Sequence, residues 1–568
     1  MSAASPGAIP DTAVLDRLIR EVADLQNRVR ALEQQFAPQP AVQTAAVQPA
    51  ARTDVHLEPN ALPVLGKALL GIAGAYVLRA LTDAGVLAHS AGITAGLLYA
   101  LVWLFFAAKQ PAGARFAVAV NAVTSVAVVA PLLWEASTRL SVVSYASCAA
   151  VLAAWALTGL ALAWSRRNTL LAAIAAGAAA LVSVAFLLAT HHLLPFTAAL
   201  LVIAAALEFE ACSMRENRAR WLTAVLADLA VLLLSWIVAR PEGIPEGYAA
   251  VSPAAAFTVQ LALIAIYGGS AVVQTLLLRR TFTGPETAQT AAAVLAGVAG
   301  ASWLMAGAPR AMFALGLAAL LTGAACYVVS FVLVPAANKW NFRAWAGFGL
   351  LLVLFGAFLP FSGSASWEFW CGGALICSWA AMAARKPTLG LHGAVYLVLA
   401  AITSGTAIRA AAQLFGAAGP ISWPAVAVPG AAAVLGWLAI DRSAAPGSAP
   451  WRKQVSAFVF AAAIAWIAAG LAVYVCSNAW PAGLRAPIDT LATVILTAMS
   501  LALAWLGART RRKHLIWVVY PLMVVAAWKI AVRDFPNEHN IALVISLLCY
   551  GGALMLLPRI IRARDDML

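Results

Sequence analysis

The sequence predicts an all-α polytopic integral membrane protein: about eighteen transmembrane helices arranged in hairpins, preceded by a coiled-coil helix. Three observations carry this. From about residue 60 onward, apolar stretches of roughly 18–25 residues follow one another with short breaks, and each can cross ~30 Å of hydrocarbon as a helix. Only 11% of the 568 residues are charged and 63% are hydrophobic, whereas a soluble domain carries roughly a quarter charged residues. Lys and Arg gather in every second break.

Residues 1–36 read as a cytoplasmic N-terminal segment. Within it Leu15, Leu18, Val22, Leu25, Val29, Leu32 and Phe36 alternate at spacings of three and four, an a/d heptad seam over residues 11–36. Asp11 or Thr12 can cap its start. The seam suits self-association, so a homo-oligomer is one expected assembly. Packing on the protein's own loops and lying on the membrane surface are the other uses open to it. Residues 37–60, rich in Ala, Pro and Gln, have little to bury and read as a flexible linker.

Residues 61–558 form the transmembrane domain, and residues 559–568 a cytoplasmic C-terminal tail. The spans centre at about residues 71, 97, 123, 153, 179, 201, 230, 265, 296, 322, 352, 375, 403, 431, 466, 497, 522 and 549. One set of breaks is basic, from Lys109/Arg115 and Arg166/Arg167 to Arg509/Arg511/Arg512/Lys513 and Arg559/Arg562/Arg564. The alternate set carries only Arg79, Arg139, Arg240, Arg310, Arg485 and Arg533. Short loops rich in Lys and Arg stay in the cytoplasm. The expectation is therefore a multi-pass protein of the bacterial inner membrane with both termini inside. The net charge of +14 sits mainly in those loops. It sets orientation and meets anionic lipid head groups; it does not point to nucleic acid. The lipid bilayer is the expected surrounding, and many of the 20 Trp lie near span ends, as Trp134, Trp164, Trp340 and Trp480 do.

The repeating unit is a two-helix hairpin. Leu-Ala-Trp-Ser-Arg-Arg at 162–167 and Leu-Ala-Trp-Leu-Gly-Ala-Arg at 503–509 resemble duplicated exits, although orientation signals alone would give similar cues. Gly71/Gly74, Gly297/Gly300 and Gly347/Gly349/Gly356 mark faces where helix backbones can approach closely.

Ionisable groups inside hydrocarbon are costly and point to function. Asp228 is the foremost candidate. It lies roughly 12 Å into the seventh span, with no sequence neighbour to neutralise it. It must meet the bundle interior, a partner on another helix or a wet cavity. Arg409 and Lys529 lie far along their spans, where snorkelling to the outer surface is expected. Glu208 and Glu210 end the sixth span beside Arg215, where a surface ion pair is expected. Asn121, Gln260 and Gln274 are further intramembrane polar candidates. Asp83 and Glu135 fall in the first two outer loops.

Enzymatic signatures are scarce. There is no Gly-rich phosphate loop, no HExxH and no GxSxG. The adjacent His191 and His192 project differently and have no acidic or Cys companion. The seven cysteines form no CxxC and read as small buried hydrophobes. No catalytic, cofactor-binding or metal-ligating residue is nominated, and the balance leans away from an enzyme.

The heptad helix, the Ala/Pro/Gln tether and the opening Gly66-Lys67-Ala68-Leu69-Leu70-Gly71-Ile72-Ala73-Gly74-Ala75-Tyr76-Val77-Leu78-Arg79 together resemble the bacterial predicted membrane proteins of domain-of-unknown-function family 2339. The likeness covers the N-terminal ~110 residues best and implies a cytoplasmic-membrane location with no defined role. Three functions remain open. The first is a transporter or permease-like protein for a small or lipidic substrate. The second is a non-catalytic envelope scaffold using the coiled coil. The third is a membrane glycosyltransferase using a lipid-linked sugar, which would place an acidic residue such as Asp83 in its first outer loop. A transporter predicts polar groups converging with Asp228 on one wet cavity; a scaffold predicts a dry, small-residue bundle.

Overall fold

The computed structural model describes residues 26, 28, 61–111, 113–213, 217–335, 337–416, 420–443, 450–479, 488–535 and 540–562. Of the expected coiled-coil helix only Gln26 and Arg28 fall among these, both helical and exposed; the linker 37–60 and the tail from 563 lie outside them. The chain divides into two units, residues 1–70 and 71–568. The described part of the first is chiefly the start of a helix that continues into the second.

Every regular element among the described residues is helical: α1 (Ala61–Asp83), α2 (His89–Lys109), α3 (Arg115–Trp134), α4 (Tyr145–Arg166), α5 (Thr169–Thr190), α6 (Leu193–Cys212), α7 (Ala219–Val238), α8 (Pro253–Val272), α9 (Gly284–Met305), α10 (Pro309–Val332), α11 (Lys339–Phe358), α12 (Ser364–Ala383), α13 (Pro387–Thr403), α14 (Thr406–Leu414), α15 (Trp423–Arg442), α16 (Pro450–Ala479), α17 (Ile488–Thr510), α18 (Lys513–Lys529) and α19 (Asn540–Arg562). Five of them begin at a side-chain cap. Ser144, Asn168, Ser252, Thr283 and Asn338 accept a backbone N–H of the following first turn, satisfying a donor that has no partner within its helix.

All eighteen expected centres fall on these helices, with α13 and α14 sharing one. Among the described residues, sixteen helices are long and apolar enough to cross a membrane, or seventeen if the bent pair α13–α14 is one span. The remaining expected span is α12. It is 20 residues long, but Glu368, three tryptophans and three serines dilute its hydropathy below that of its neighbours. The thirteenth span is not continuous. It turns by 65° between Thr403 and Thr406, at Gly405 with φ +71°, a left-handed conformation that glycine adopts without a Cβ clash.

Small residues set the closest helix contacts. A Cβ on Gly316 would sit 2.8 Å from the carbonyl oxygen of Gly356, and one on Gly356 2.9 Å from that of Gly316; Gly323 and Gly349 repeat the arrangement at 3.0 Å each way. The backbones of α10 and α11 thus touch at two levels. Gly71, Gly74, Gly297 and Gly300 likewise face side chains within 2.8 Å of where a Cβ would be, whereas Gly347 faces open space.

Sharp basic hairpins share one turn. Arg167, Arg279, Arg385 and Arg511 each have φ between 52° and 56°, and they follow the fourth, eighth, twelfth and sixteenth spans. In three of them the next N–H returns to the carbonyl five residues earlier: Asn168 to Ala163, Lys386 to Ala381 and Arg512 to Gly507. This closes the helix end as a Schellman turn does. The paired segments at 162–167 and 503–509 are out of register with it. Trp164 precedes its left-handed Arg by three residues, and Trp505 by six. The regular feature is the turn, not the tryptophan.

Candidate functional site

α1 and α3 end, and α2 begins, on the side of the molecule opposite the basic loops. Between them lies a cavity of about 110 Å³. Its wall is apolar, with Ile72, Ala75, Leu78, Ile93, Val128 and Leu132 prominent, and its rim carries Arg79, Asp83 and Glu135. The rim is an ion cluster. Arg79 Nη2 donates to Glu135 Oε1 at 2.6 Å, and Arg139 Nη1 donates to the same oxygen at 2.9 Å. Asp83 Oδ2 lies 3.8 Å from Arg79 Nε. Asp83 and Glu135, separate candidates in the sequence, therefore meet on one guanidinium. Arg79 had counted only as a loop charge. The i, i+4 spacings of Arg79/Asp83 and Glu135/Arg139 were a usable signal, because such pairs share a helix face.

Glu135 stands in a π turn, Glu135–Arg139, that extends α3. Pro131 precedes it and cannot donate a backbone N–H, which loosens the ladder there. Two more π turns occur among the described residues, Val273–Leu277 after α8 and Ile530–Asp534 after α18. Each of the three carries a member of a polar cluster, and single π turns concentrate at functional positions.

The second π turn supports a network on the basic-loop side of α6–α9. Arg220 grips Glu208 with two bonds, Nε to Oε1 at 2.7 Å and Nη2 to Oε2 at 2.8 Å, and reaches Glu286 Oε1 at 3.0 Å. Ser270 donates to Glu208 at 2.5 Å, and Gln274 donates to Ser270 at 2.8 Å. The expected surface pairing of Glu208 and Glu210 beside Arg215 is corrected. Both glutamates are buried, Glu208 on Arg220 and Glu210 on the Asn217 amide at 3.1 Å; Arg215 lies outside the described residues. Arg220, in the first turn of α7, was the stronger partner, and only the packing of α6 on α7 reveals it.

Asp228 is buried and accepts a 2.7 Å bond from Gln289 of α9 through Oδ2, while Oδ1 has no hydrogen-bond partner. The expectation of a partner on another helix is met by an amide. The 110 Å³ cavity is not lined by Asp228, so the polar convergence that a central relay requires is not formed around it there. Gln260 is fully buried and donates to Ser235 at 2.7 Å. Asn121 is buried in α3.

The third π turn overturns the expectation for Lys529. It does not snorkel. Lys529 is 0% exposed; its Nζ lies 2.7 Å from Asp534 Oδ1 and 3.1 Å from Thr493 Oγ1. Thr493 in turn donates to Asp534 Oδ2 at 3.1 Å. Lys529 and Asp534 are five residues apart, a spacing that places them on different faces of an α-helix; the π turn brings them together. Arg409 is also not a simple surface group. It sits in α14 just past the break, half-buried, with Nη1 buried and unpartnered beside a water-sized space of about 10 Å³ lined also by Thr406 and Gln413.

One buried cluster gave no sequence signal. Tyr327 of α10 bonds His392 Nδ1 of α13 at 2.9 Å and Tyr396 at 3.2 Å. His392 and Tyr396 share one face of α13 at i, i+4, but Tyr327 lies 65 residues before His392 and no local pattern joins it to them. His191 and His192 diverge as expected, stacking on Tyr248 and Tyr145 respectively.

No family model matches the chain, and neither a curated protein nor a solved structure is detectably similar to it.

Proposed function

We propose that this is a multi-pass protein of the bacterial cytoplasmic membrane, with both termini in the cytoplasm, that takes a lipidic substrate into the cavity between α1, α2 and α3 in a permease-like role. One observation carries this reading: an apolar cavity whose rim is an ion cluster at the level where the three helices end. Acyl chains fit the wall and a polar head group fits the rim. A lipid reaches such a site sideways from the bilayer, so no water-filled path past Asp228 is needed. The alternation of basic loops supports the orientation and favours α12 as a true crossing, because without it the later loops fall out of phase. Membership of domain-of-unknown-function family 2339 belongs to the same reading.

A scaffold role, with self-association through residues 11–36, is the second reading. The Ala-rich packing around α4–α7 and the burial of Asp228 against the Gln289 amide favour it. Glycosyl transfer is less well supported, because both rim carboxylates already have Arg79 as an ion-pair partner.

The experiment is crosslinking of a photoactivatable phospholipid to the full-length protein in liposomes. Labelling at α2 and α3 residues of the wall is expected, with loss in Ala75→Phe, which fills the cavity. Labelling that is absent, or indifferent to Ala75→Phe, refutes the lipid reading and leaves the scaffold. Reporter fusions at 166, 280, 386 and 511 should report cytoplasm, and those at 192 and 244 the outside. A single well-expressed inversion overturns the orientation.

A further inference from the structure

We infer that the lipid accepted at the α1–α3 cavity is a zwitterionic phospholipid with a primary ammonium head group, the phosphoethanolamine class. This rests on the lipid-binding reading above and adds the head-group chemistry.

The argument is one of charge placement. Arg79, Asp83 and Glu135 line the rim, and Arg139 joins them from beyond the lining through Glu135, so the formal charges of the four cancel. An anionic lipid head group would meet no net positive charge there. The charges are also unevenly spread. Both guanidiniums converge on one oxygen of Glu135, so that corner carries two positive groups against a single carboxylate. Arg139 is 64% exposed and has donors to spare for an incoming phosphate. Asp83 lies at the other end of the cluster. It is 54% exposed, and its only ion contact among the described residues, to Arg79 Nε, is long at 3.8 Å. A carboxylate held so loosely can accept an N–H from an ammonium group.

The rim thus presents a cationic corner and an anionic corner on one apolar opening. A phosphoethanolamine complements both, with its phosphate toward Arg139 and Arg79 and its ammonium toward Asp83. A phosphoglycerol head group lacks the cation. A phosphocholine head group keeps the charge but has no N–H to donate. The cavity beneath has space for only part of an acyl chain, so the remainder of the lipid stays in the bilayer. That is consistent with an opening beside the exposed faces of α1 and α3, where Tyr76 and Trp134 stand at the surface.

The test uses the full-length protein purified from liposomes containing equal parts of phosphatidylethanolamine, phosphatidylcholine and phosphatidylglycerol, with retained lipid counted by native mass spectrometry. Phosphatidylethanolamine should be retained about tenfold over either competitor, roughly what one charge-assisted hydrogen bond contributes on net. Asp83→Asn should remove the advantage over phosphatidylcholine and leave total retention nearly unchanged. Arg139→Gln should lower retention of all three. Both substitutions are at exposed positions, so folding is not at stake, and Ala75→Phe serves as the cavity control. Retention that depends on Ala75 but ignores the head group, or that favours phosphatidylglycerol, overturns the inference and leaves the lipid reading standing. Retention that ignores Ala75→Phe overturns both.

Discussion

The first half of the membrane domain and the second half are held together in different ways. From α2 to α9 the buried apolar side chains form one continuous core, from Ala100 and Leu104 to Ala293, dominated by alanine where α4–α7 meet. Its principal charge network is drawn to one end, around Arg220. From α10 onward the core is divided among smaller clusters. Buried polar groups stand among them: the Tyr327–His392–Tyr396 group, the Thr406 bond from the broken span to the Ala425 carbonyl of α15, and the Lys529–Asp534 pair. In lipid the hydrophobic effect does not drive helices together, because the tails are as apolar as leucine. Helices associate by close packing of small residues or by hydrogen bonds that have no alternative partner. The first half relies mainly on the former. The second half uses both, with the glycine contacts of α10 and α11 as its tightest seam.

The sharpest break of this comparison is Arg220→Met. It leaves Glu208 buried, and Glu286 without its guanidinium, and should destabilise by about 3–5 kcal/mol, the cost typical of stripping one partner from a buried pair. The loss should fall in α6–α9 and spare the second half, as hydrogen exchange in detergent would register. Uniform loss of protection across both halves would mean they are one cooperative unit.

Lys529→Met should cost nearly as much, about 3 kcal/mol, by leaving Asp534 uncompensated. The double variant Lys529→Met/Asp534→Leu should recover most of it, because a dry pair of similar volume replaces both charges. Thermal unfolding of the two single variants and the double variant reads the coupling. Additive effects would show that the pair does not act as a pair.

Gly349→Val tests the seam between α10 and α11. A Cβ there meets the Gly323 carbonyl oxygen at 3.0 Å and the Tyr327 ring at 3.0 Å. Overpacking should cost about 1–3 kcal/mol and disturb the neighbouring Tyr327 cluster. Gly347→Val, on the same helix but facing open space, should be near neutral by the same melting measurement.

The smallest effect should come from Asp228→Asn, which keeps a hydrogen bond to Gln289 and is expected to be tolerated. Asp228→Leu leaves the Gln289 amide without its acceptor and should cost about 1–3 kcal/mol. Equal stability of the two variants would remove the structural role, whereas loss of function in a stable Asp228→Asn protein would restore the relay.

The sequence by itself determined the all-helical membrane architecture and the positions of the helices, while one expected span, α12, falls short of the apolar length a crossing needs. Those follow from composition and from the length of apolar runs, which are local properties of the chain. It also singled out Asp228, Asp83 and Glu135, because a charge in or beside hydrocarbon stands out wherever it occurs. It did not determine which charges meet. Lys529 was read as a surface group because its partner lies five residues on, and only a π turn brings that spacing onto one face. Glu208 was assigned the nearest Arg in sequence, while the packing of α6 on α7 supplied Arg220. Arg79 and Glu135, 56 residues apart, join only when α1 and α3 end side by side. The break in the thirteenth span likewise rests on Gly405 and on the bonds that tie Thr406 to α15 and Ala407 to α16. Periodicity and hydropathy are one-dimensional and report which face of a helix is apolar. They carry no information about which other helix that face meets, so the polar clusters and the cavity were decided by tertiary packing alone.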